Sequence, residues 1–312
     1  MNPTNIKEQI ADLDSLGEQK DASLLTNIRN QTDRNPLSYD QIQYYFQNDS
    51  DNLDSELLNN FSINDINLSD LQDYQKRLFA ATQNREYLTN DYRKLLIRLG
   101  LLQIDRSNPD QIYKMKKAAL LLFGKFDAIT AIFPNFFLDF IVKNDSEDLD
   151  YLDRIYTSNE LNHPNNVYRF FTATYDKITA AINKRPGFKK TNSRALILRA
   201  IREGLVNALV HANYASKSPV KVTLLNDCIQ FRNPGHIQIS STEFASGGNS
   251  ISRNPSIFNV FIYAKLGDHS GIGGHQIYHI ANRLNLKKPV LTQKTLNTEL
   301  TLWLVPQTKS CT

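Results

Sequence analysis

Residues 202–211 read Arg-Glu-Gly-Leu-Val-Asn-Ala-Leu-Val-His, and this stretch decides the fold prediction. It spaces a carboxylate (Glu203), an amide (Asn207) and an imidazole (His211) four residues apart, so the three side chains project from one helical face. The leucines and valines between them would anchor such a helix on a core. Two interpretations follow: ordinary exposed side chains of an amphipathic helix, or a polar row that faces a cleft.

The segments after this helix supply its context. Residues 219–225 and 229–231 are rich in β-forming side chains, and Asn226-Asp227 between them predicts a hairpin. Further along the chain come Asn233-Pro234-Gly235, the pair Gly247-Gly248, a second Asn-Pro at Asn254-Pro255, an apolar helix over 256–266, and a glycine loop over 267–274 that opens another helix. The sequence therefore predicts helix, hairpin, glycine loop, helix, glycine loop and helix, in that order.

This series resembles the GHKL family of ATP-binding domains, which has the Bergerat fold. Within that family it is most similar to the version in bacterial Schlafen/AlbA-type transcriptional regulators. The likeness lies in the order of motifs: 202–211, Asn233–Gly235, Ser252–Pro255 and Gly271–Gly273. Upstream, residues 118–125, 133–140 and 153–155 are similar to segments that these regulators carry between their domains, so the resemblance covers roughly residues 36 to 305.

The resemblance implies chemical roles for the polar row. Glu203 would orient or deprotonate the water that attacks the γ-phosphate of ATP, and Asn207 would hold Mg²⁺ through its side-chain oxygen. Magnesium prefers oxygen ligands and keeps several waters, and a carboxylate one turn away can reach one of those waters.

Glycine loops would let backbone N–H groups approach the phosphates closely. The nucleotide-binding residues implied there are Gly247, Gly248, Ser270, Gly271 and Gly273. The alternative is that these glycines only form turns.

The adenine site departs from the wider GHKL pattern, in which an aspartate accepts a hydrogen bond from the adenine amino group. Here Asn233 takes that position, two residues before Gly235. Its oxygen could accept the same bond, whereas its nitrogen could donate to a keto base. His211 would either contact the phosphates or cap the helix.

His275 and His279 have a spacing that can hold zinc. The sequence offers no third ligand at a metal-site distance and no H-E-x-x-H motif. Two partly exposed histidines are therefore the favoured interpretation.

Composition indicates a cytoplasmic protein without membrane contact. The 312 residues, 41% of them hydrophobic, suit two domains or one domain with an extension. Two cysteines, Cys228 and Cys311, predict no disulfide framework. No signal peptide is visible, and no apolar run approaches the length of about 18 residues that a membrane span needs.

Charge is uneven along the chain. Residues 1–73 hold 4 basic and 14 acidic side chains, and the rest hold 32 basic and 18 acidic ones. The basic clusters are Lys114-Met115-Lys116-Lys117, Lys184-Arg185, Lys189-Lys190 and Lys287-Lys288. They either contact nucleic acid phosphates, which makes DNA a candidate partner, or simply solvate the surface.

The predicted fold class is α+β: a C-terminal Bergerat-type α/β sandwich, with a mixed sheet covered by helices, preceded by a mainly helical N-terminal region. The predicted domains are 1–110, a helical extension; 111–184, an α/β connecting region; and 185–312, the GHKL-type nucleotide-binding domain. Further helices are expected at 2–16, 37–46, 68–82, 91–102 and 166–184, and strands at 136–143, 289–293 and 299–305.

Three functional hypotheses remain. The first is an ATP-binding GHKL domain of a transcriptional regulator, with slow Mg²⁺-dependent hydrolysis. The second is a degenerate GHKL scaffold that serves dimerisation, as a homodimer, without turnover. The third is a DNA-binding module that uses the basic face. Relatives of this kind often carry an AlbA domain and a winged helix, and the sequence has room for neither in full.

Overall fold

The structure, a computed structural model, describes residues 53–107, 109–145, 150–235, 241–247, 252–267, 273–294 and 296–307. The helices predicted at 2–16 and 37–46 lie outside the described residues. So do three of the predicted site residues and one cysteine: Gly248, Ser270, Gly271 and Cys311.

Two helices and a small antiparallel sheet form the first described part. The helices are α1 (Leu68–Thr82) and α2 (Tyr92–Arg98), and the strands are β1 (Leu57–Leu58), β2 (Leu102–Ile104) and β3 (Tyr113–Lys116), in the order β1-β3-β2. Helix α1 has the predicted bounds. Helix α2 is shorter than predicted because Gly100, with φ +69°, closes it. The N–H of Leu101 then bonds the carbonyl of Leu96 at 2.8 Å, and the chain turns into β2.

The connecting region is α/β. Its elements are α3 (Lys117–Phe123), α4 (Phe126–Ile132), β4 (Leu138–Val142), β5 (Asp153–Tyr156) and α5 (Val167–Asn183). Helix α3 is buried on every side except at its first residue, so it lacks the polar face by which a surface helix is recognised. Within the described residues, no helix is both long and apolar enough to cross a membrane.

The C-terminal region holds a six-stranded mixed sheet. Its elements are α6 (Thr191–Val210), β6 (Val220–Leu224), β7 (Cys228–Pro234), α7 (Ser241–Ser246), α8 (Pro255–Tyr263), α9 (Gly273–Arg283), β8 (Val290–Lys294) and β9 (Asn297–Trp303). The strand order is β5-β4-β6-β7-β9-β8, and only β4 and β6 run parallel among these pairs. Strands β6 and β7 form the predicted hairpin. Cys228, the first residue of β7, has a buried free thiol.

Helices α5, α6 and α9 cover one face of this sheet. Side chains in register across three strands, Val222, Phe231 and Leu300, are all buried beneath them. Gly204 lets α6 lie directly on β7, because a Cβ at this position would come within 2.6 Å of the Phe231 ring. The α+β class, with a helical N-terminal part and a mixed sheet covered by helices, is confirmed.

The N-terminal helices share a hydrophobic core with the sheet region. The ring of Tyr74 in α1 lies 5.3 Å from that of Phe123 and 5.5 Å from that of Tyr168. Its hydroxyl donates to the carbonyl of Val260 in α8 at 2.8 Å. The predicted boundaries at residues 110 and 184 remain a prediction.

Candidate functional site

Helix α6 holds Glu203 and Asn207 one turn apart, as the sequence predicts. Glu203 is buried, with 2% of its surface exposed, and Asn207 is half-buried. The helix ends at His211, whose backbone N–H donates to the carbonyl of Asn207 at 3.0 Å. Along the polar row, side-chain exposure therefore increases from the buried Glu203 to the half-buried Asn207.

Gly273, the first residue of α9, stands over both Glu203 and Asn207. A Cβ placed on Gly273 would lie 3.3 Å from Oε2 of Glu203 and 3.6 and 3.7 Å from Nδ2 and Oδ1 of Asn207. The first distance is tighter than ordinary van der Waals contact, so the Glu203 carboxylate would have to shift by a few tenths of an ångström to admit a Cβ there. Three of the predicted site residues thus converge, and the glycine permits the close approach.

Two neighbouring glycines have structural explanations. A Cβ on Gly274 would come within 2.3 Å of the Phe244 carbonyl oxygen, so this glycine lets α7 pack on α9. Gly247 has φ +76°, and its N–H bonds the carbonyl of Glu243 at the end of α7. For Gly247 the structure gives a helix-terminating turn, and a role at phosphates remains a prediction.

Asn233 lies near the end of β7 with 6% of its surface exposed. Its Nδ2 donates to the backbone carbonyls of His211 and Pro234, both at 3.3 Å. Because carbonyl oxygens only accept, the atom that faces them must be the nitrogen. No donor in the described part of the chain bonds Oδ1. The orientation that the sequence left open is therefore fixed, and the group that Asn233 can offer to a ligand is an acceptor.

Gly235 and Arg253 are in close contact. Gly235 has φ +105°, and a Cβ there would lie 3.1 Å from Nε of Arg253, which is 3% exposed. The next residue, Asn254, donates from Nδ2 to the carbonyls of Val210 and Ala212, each at 2.8 Å. The Ser252–Pro255 motif thus holds the end of α6 through Asn254, a structural role that the sequence pattern alone does not predict.

Electrostatics keep His211 neutral. Burial, and secondly the Arg253 guanidinium, lower the pKa of His211 from 6.5 to about 4. At pH 7 the imidazole is uncharged and provides no positive charge for a phosphate. The structure gives His211 the helix-capping position, and its contact with phosphates remains a prediction.

Glu203 has a cationic neighbour on its own helix. Nη2 of Arg202 lies 3.6 Å from Oε1 of Glu203. The arrangement therefore places a buried carboxylate beside a half-buried carboxamide, which together can orient a water and bind a hard cation through oxygen.

The histidine pair of α9 is exposed. The rings of His275 and His279 stack with centroids 6.1 Å apart. In the ranges that the structure describes, no group of three His, Cys, Asp or Glu side chains could hold a metal. The zinc hypothesis therefore gains no third ligand there.

Two families match parts of the chain. Residues 217–302 match an ATPase-like family described as "Putative ATP-dependent DNA helicase recG C-terminal". Residues 43–139 match a domain of unknown function (DUF8451). The first match includes Asn233, Gly235 and Gly273 but begins after helix α6.

The fold is shared with a solved structure. It is the DIP2311 protein from Corynebacterium diphtheriae, 17% identical, with a TM-score of 0.61 over 86% of this chain. The chain spans about half the length of that protein, 50%. A search among curated proteins found no match. The C-terminal part is thus similar to an ATPase-like nucleotide-binding domain.

Proposed function

We propose that the C-terminal α/β region is a Bergerat-type GHKL domain that binds ATP with Mg²⁺ between the second half of α6 and the start of α9. The observation that carries the proposal is the convergence of Glu203, Asn207 and Gly273, which lie within 3.3 to 3.7 Å of one point, the Cβ position of Gly273. The ATPase-like match over residues 217–302 supports it independently of α6.

The donor atoms at this point fit magnesium. The half-buried carboxamide of Asn207 supplies one oxygen, and nucleotide phosphates and waters would complete the ligands that Mg²⁺ requires. When bound, the ion would neutralise phosphate charge. Glu203, one turn earlier, would orient the attacking water and accept its proton.

The adenine base would lie at the other end of the site. Asn233 presents Oδ1 because its nitrogen is held by two carbonyls. That oxygen can accept a hydrogen bond from the 6-amino group of adenine, and it would repel the 6-keto oxygen of guanine or hypoxanthine. The geometry therefore favours ATP over keto-purine nucleotides.

A second candidate, nucleotide binding without turnover, is favoured by the burial of Glu203. Its carboxylate is 2% exposed, lies close to the Arg202 guanidinium and is covered by the start of α9. This burial disfavours an attacking water at the Glu203 carboxylate. Such a domain would act as a switch or dimerisation scaffold, in keeping with the motif order shared with Schlafen/AlbA-type transcriptional regulators.

A thermal-shift panel tests the proposal. ATP, ADP, GTP and ITP are each added with and without Mg²⁺, because a ligand that binds only the folded protein stabilises it by about 2.7 kcal/mol at a hundred times its Kd. We expect ATP with Mg²⁺ to raise Tm most. If no nucleotide raises Tm, the proposal is wrong. Phosphate release by the wild type and by Glu203→Gln then separates turnover from binding alone.

A further inference from the structure

Three basic clusters meet at one end of the sheet, around the β6–β7 turn. Two of them are close together in the sequence, and the third lies far downstream. We call the surface formed by the following six side chains the basic end: Lys184, Arg185, Lys189, Lys190, Lys287 and Lys288. All except Arg185 are exposed. Contacts on both sides of the turn bring them together.

On one side, Arg185 fixes the first two clusters. Its Nη1 and Nη2 donate to the carbonyls of Asn226 and Leu225 in the turn, both at 2.6 Å. The short helix that follows, Pro186–Phe188, buries Phe188 in the core. Lys189 and Lys190 come directly after it, so they are held beside the same turn.

On the other side, the end of β9 fixes the third cluster. Trp303 pairs with Cys228 at the start of β7, and the N–H of Leu304 bonds the carbonyl of Asp227 at 2.7 Å. Nζ of Lys287 lies 3.6 Å from the centroid of the Trp303 ring. Lys287 and Lys288 are therefore placed across the turn from Arg185.

The lysines of the basic end lack the carboxylate partners found in the remaining basic cluster, residues 114–117. Lys114 and Lys117 each have a carboxylate at 2.6 Å, from Asp105 and Glu56. Within the described ranges, none of the five lysines of the basic end has a carboxylate within 4.0 Å. Asp227 is an acidic residue in the turn itself, and its carboxyl group interacts with the Cys228 thiol. Asp227 also interacts electrostatically with Arg185. The five lysines remain without a close carboxylate, and such a cluster suits an external anion with several charges.

We propose that the basic end binds the phosphodiester backbone of duplex DNA without reading its sequence. A duplex suits this surface better than a single strand, which needs aromatic rings on which its bases can stack. The two rings at the basic end are unsuited to that role, because Phe188 is buried and Trp303 is covered by Lys287. An extended polyanion fits six cations spread over three segments.

The basic end is remote from the nucleotide site. Helix α6 begins beside it at Thr191, and Asn207 lies 16 residues further along the helix, which corresponds to about 24 Å. The proposed DNA contacts therefore share no residue with the proposed ATP site. Testing DNA binding without nucleotide leaves the two proposals separable.

The experiment measures fluorescence anisotropy of a labelled duplex of random sequence over a series of salt concentrations. The test variant is Lys189→Gln/Lys190→Gln/Lys287→Gln/Lys288→Gln. The matched control neutralises four exposed lysines elsewhere: Lys76→Gln/Lys94→Gln/Lys125→Gln/Lys265→Gln. Each phosphate contact contributes about 0.9 to the magnitude of the slope of log K against log salt, so the loss of four contacts should reduce that magnitude by about 3.6 in the test variant. At low salt we also expect it to lose at least about tenfold in affinity, whereas the control keeps the wild-type values.

Several results would overturn the proposal: no binding of the duplex, no dependence on salt, or an equal loss in the control variant. Tighter binding of the same strand in single-stranded form would also contradict it. Competition by poly-glutamate as effective as competition by unlabelled duplex would assign the surface to an acidic polypeptide instead.

Discussion

The carboxylate of Asp54 accepts a hydrogen bond from the backbone N–H of Ile257 at 2.8 Å, although 203 residues separate the two. Asp54 is fully buried, and Oγ of the adjacent Ser55 lies 3.0 Å from Oγ of Ser256. Together they cap the start of α8. The N-cap residue of α8, Asn254, makes no side-chain cap because its amide bonds the end of α6. The N-terminal segment therefore completes a helix that borders the candidate site.

This cap should make stability depend on pH in an unusual direction. Burial raises the pKa of Asp54 from 3.8 to about 6. Because the pKa of Asp54 is raised in the folded state, its contribution to the free energy of unfolding is largest below pH 4 and is lost as pH rises through 6. Relative to Asp54→Asn, the wild type should gain on the order of 2 kcal/mol in unfolding free energy between pH 8 and pH 4. Urea titrations followed by the single tryptophan, Trp303, measure this difference.

Asp105 provides a control, because its pKa is shifted in the opposite direction from that of Asp54. A hydrogen bond from Lys114, then bonds from Ser107, lower the pKa of Asp105 to about 2. Its contribution is present above pH 4 and is lost as pH falls toward 2. The difference between wild type and Asp105→Asn should therefore shrink on acidification. A difference for Asp54→Asn that does not change with pH would refute the buried charged cap.

The close approach of α9 to α6 predicts that Gly273→Ala weakens nucleotide binding. The added Cβ would lie 3.3 Å from Oε2 of Glu203 and 3.7 Å from Oδ1 of Asn207, so it occupies space beside the proposed metal ligand. We expect about a tenfold higher Kd for Mg-ATP, equivalent to about 1.4 kcal/mol, with little loss of stability. Calorimetry and thermal unfolding measure the two effects.

Substitutions at two other glycines serve as controls for Gly273→Ala. Gly187→Ala should change neither property, because nothing lies within 4 Å of its Cβ position. Gly274→Ala should lower Tm clearly, because its Cβ would lie 2.3 Å from a backbone oxygen of α7. If Gly273→Ala binds Mg-ATP as tightly as Gly187→Ala, the nucleotide does not lie against α9.

The orientation of Asn233 predicts discrimination between ATP and ITP, which differ in the amino and keto groups at position 6 of the purine. Since only Oδ1 is available, ITP would place oxygen against oxygen. We expect ITP to bind at least about tenfold more weakly, the effect of one lost hydrogen bond in a buried site. Competition calorimetry in the presence of Mg²⁺ gives the ratio. Equal affinities would mean that the base does not contact Asn233.

Replacing Asn233 with the aspartate of the wider GHKL pattern should destabilise this protein. A carboxylate oxygen would face the carbonyls of His211 and Pro234 at 3.3 Å, where Nδ2 now donates. The expected cost is on the order of 1–3 kcal/mol at pH 8, decreasing at low pH as the acid becomes protonated and can donate. Thermal unfolding of Asn233→Asp at both pH values measures it. Unchanged stability would show that the amide is not held by these carbonyls.

Local signals in the sequence predicted much of the fold. Helix α1 has the predicted bounds, 68–82, because its apolar residues follow the helical period. The β6–β7 hairpin follows from Asn226-Asp227 between two β-rich runs. Strand β5 was missed because Asp153–Tyr156 is short and polar, and it is a strand only because it pairs with β4.

Only part of the candidate site could be predicted from the sequence. The helical spacing of Glu203 and Asn207 could be predicted, because it depends on one helix alone. The approach of Gly273, the burial of Arg253 and the cap from Asp54 could not, since each depends on contacts between distant segments. The orientation of the Asn233 amide likewise depends on two carbonyls that only the folded chain brings together.

Isothermal titration calorimetry with Mg-ATP, on the wild type and on Asn207→Ala, tests the central claim most directly. We expect saturable binding to the wild type that requires Mg²⁺. In Asn207→Ala we expect at least about tenfold weaker binding without the magnesium dependence. Exposed Asn282→Ala serves as the matched control and should bind like the wild type. If Mg-ATP binds to Asn207→Ala with the affinity and magnesium dependence of the wild type, or fails to bind to the wild type at all, Asn207 does not hold magnesium for a bound nucleotide.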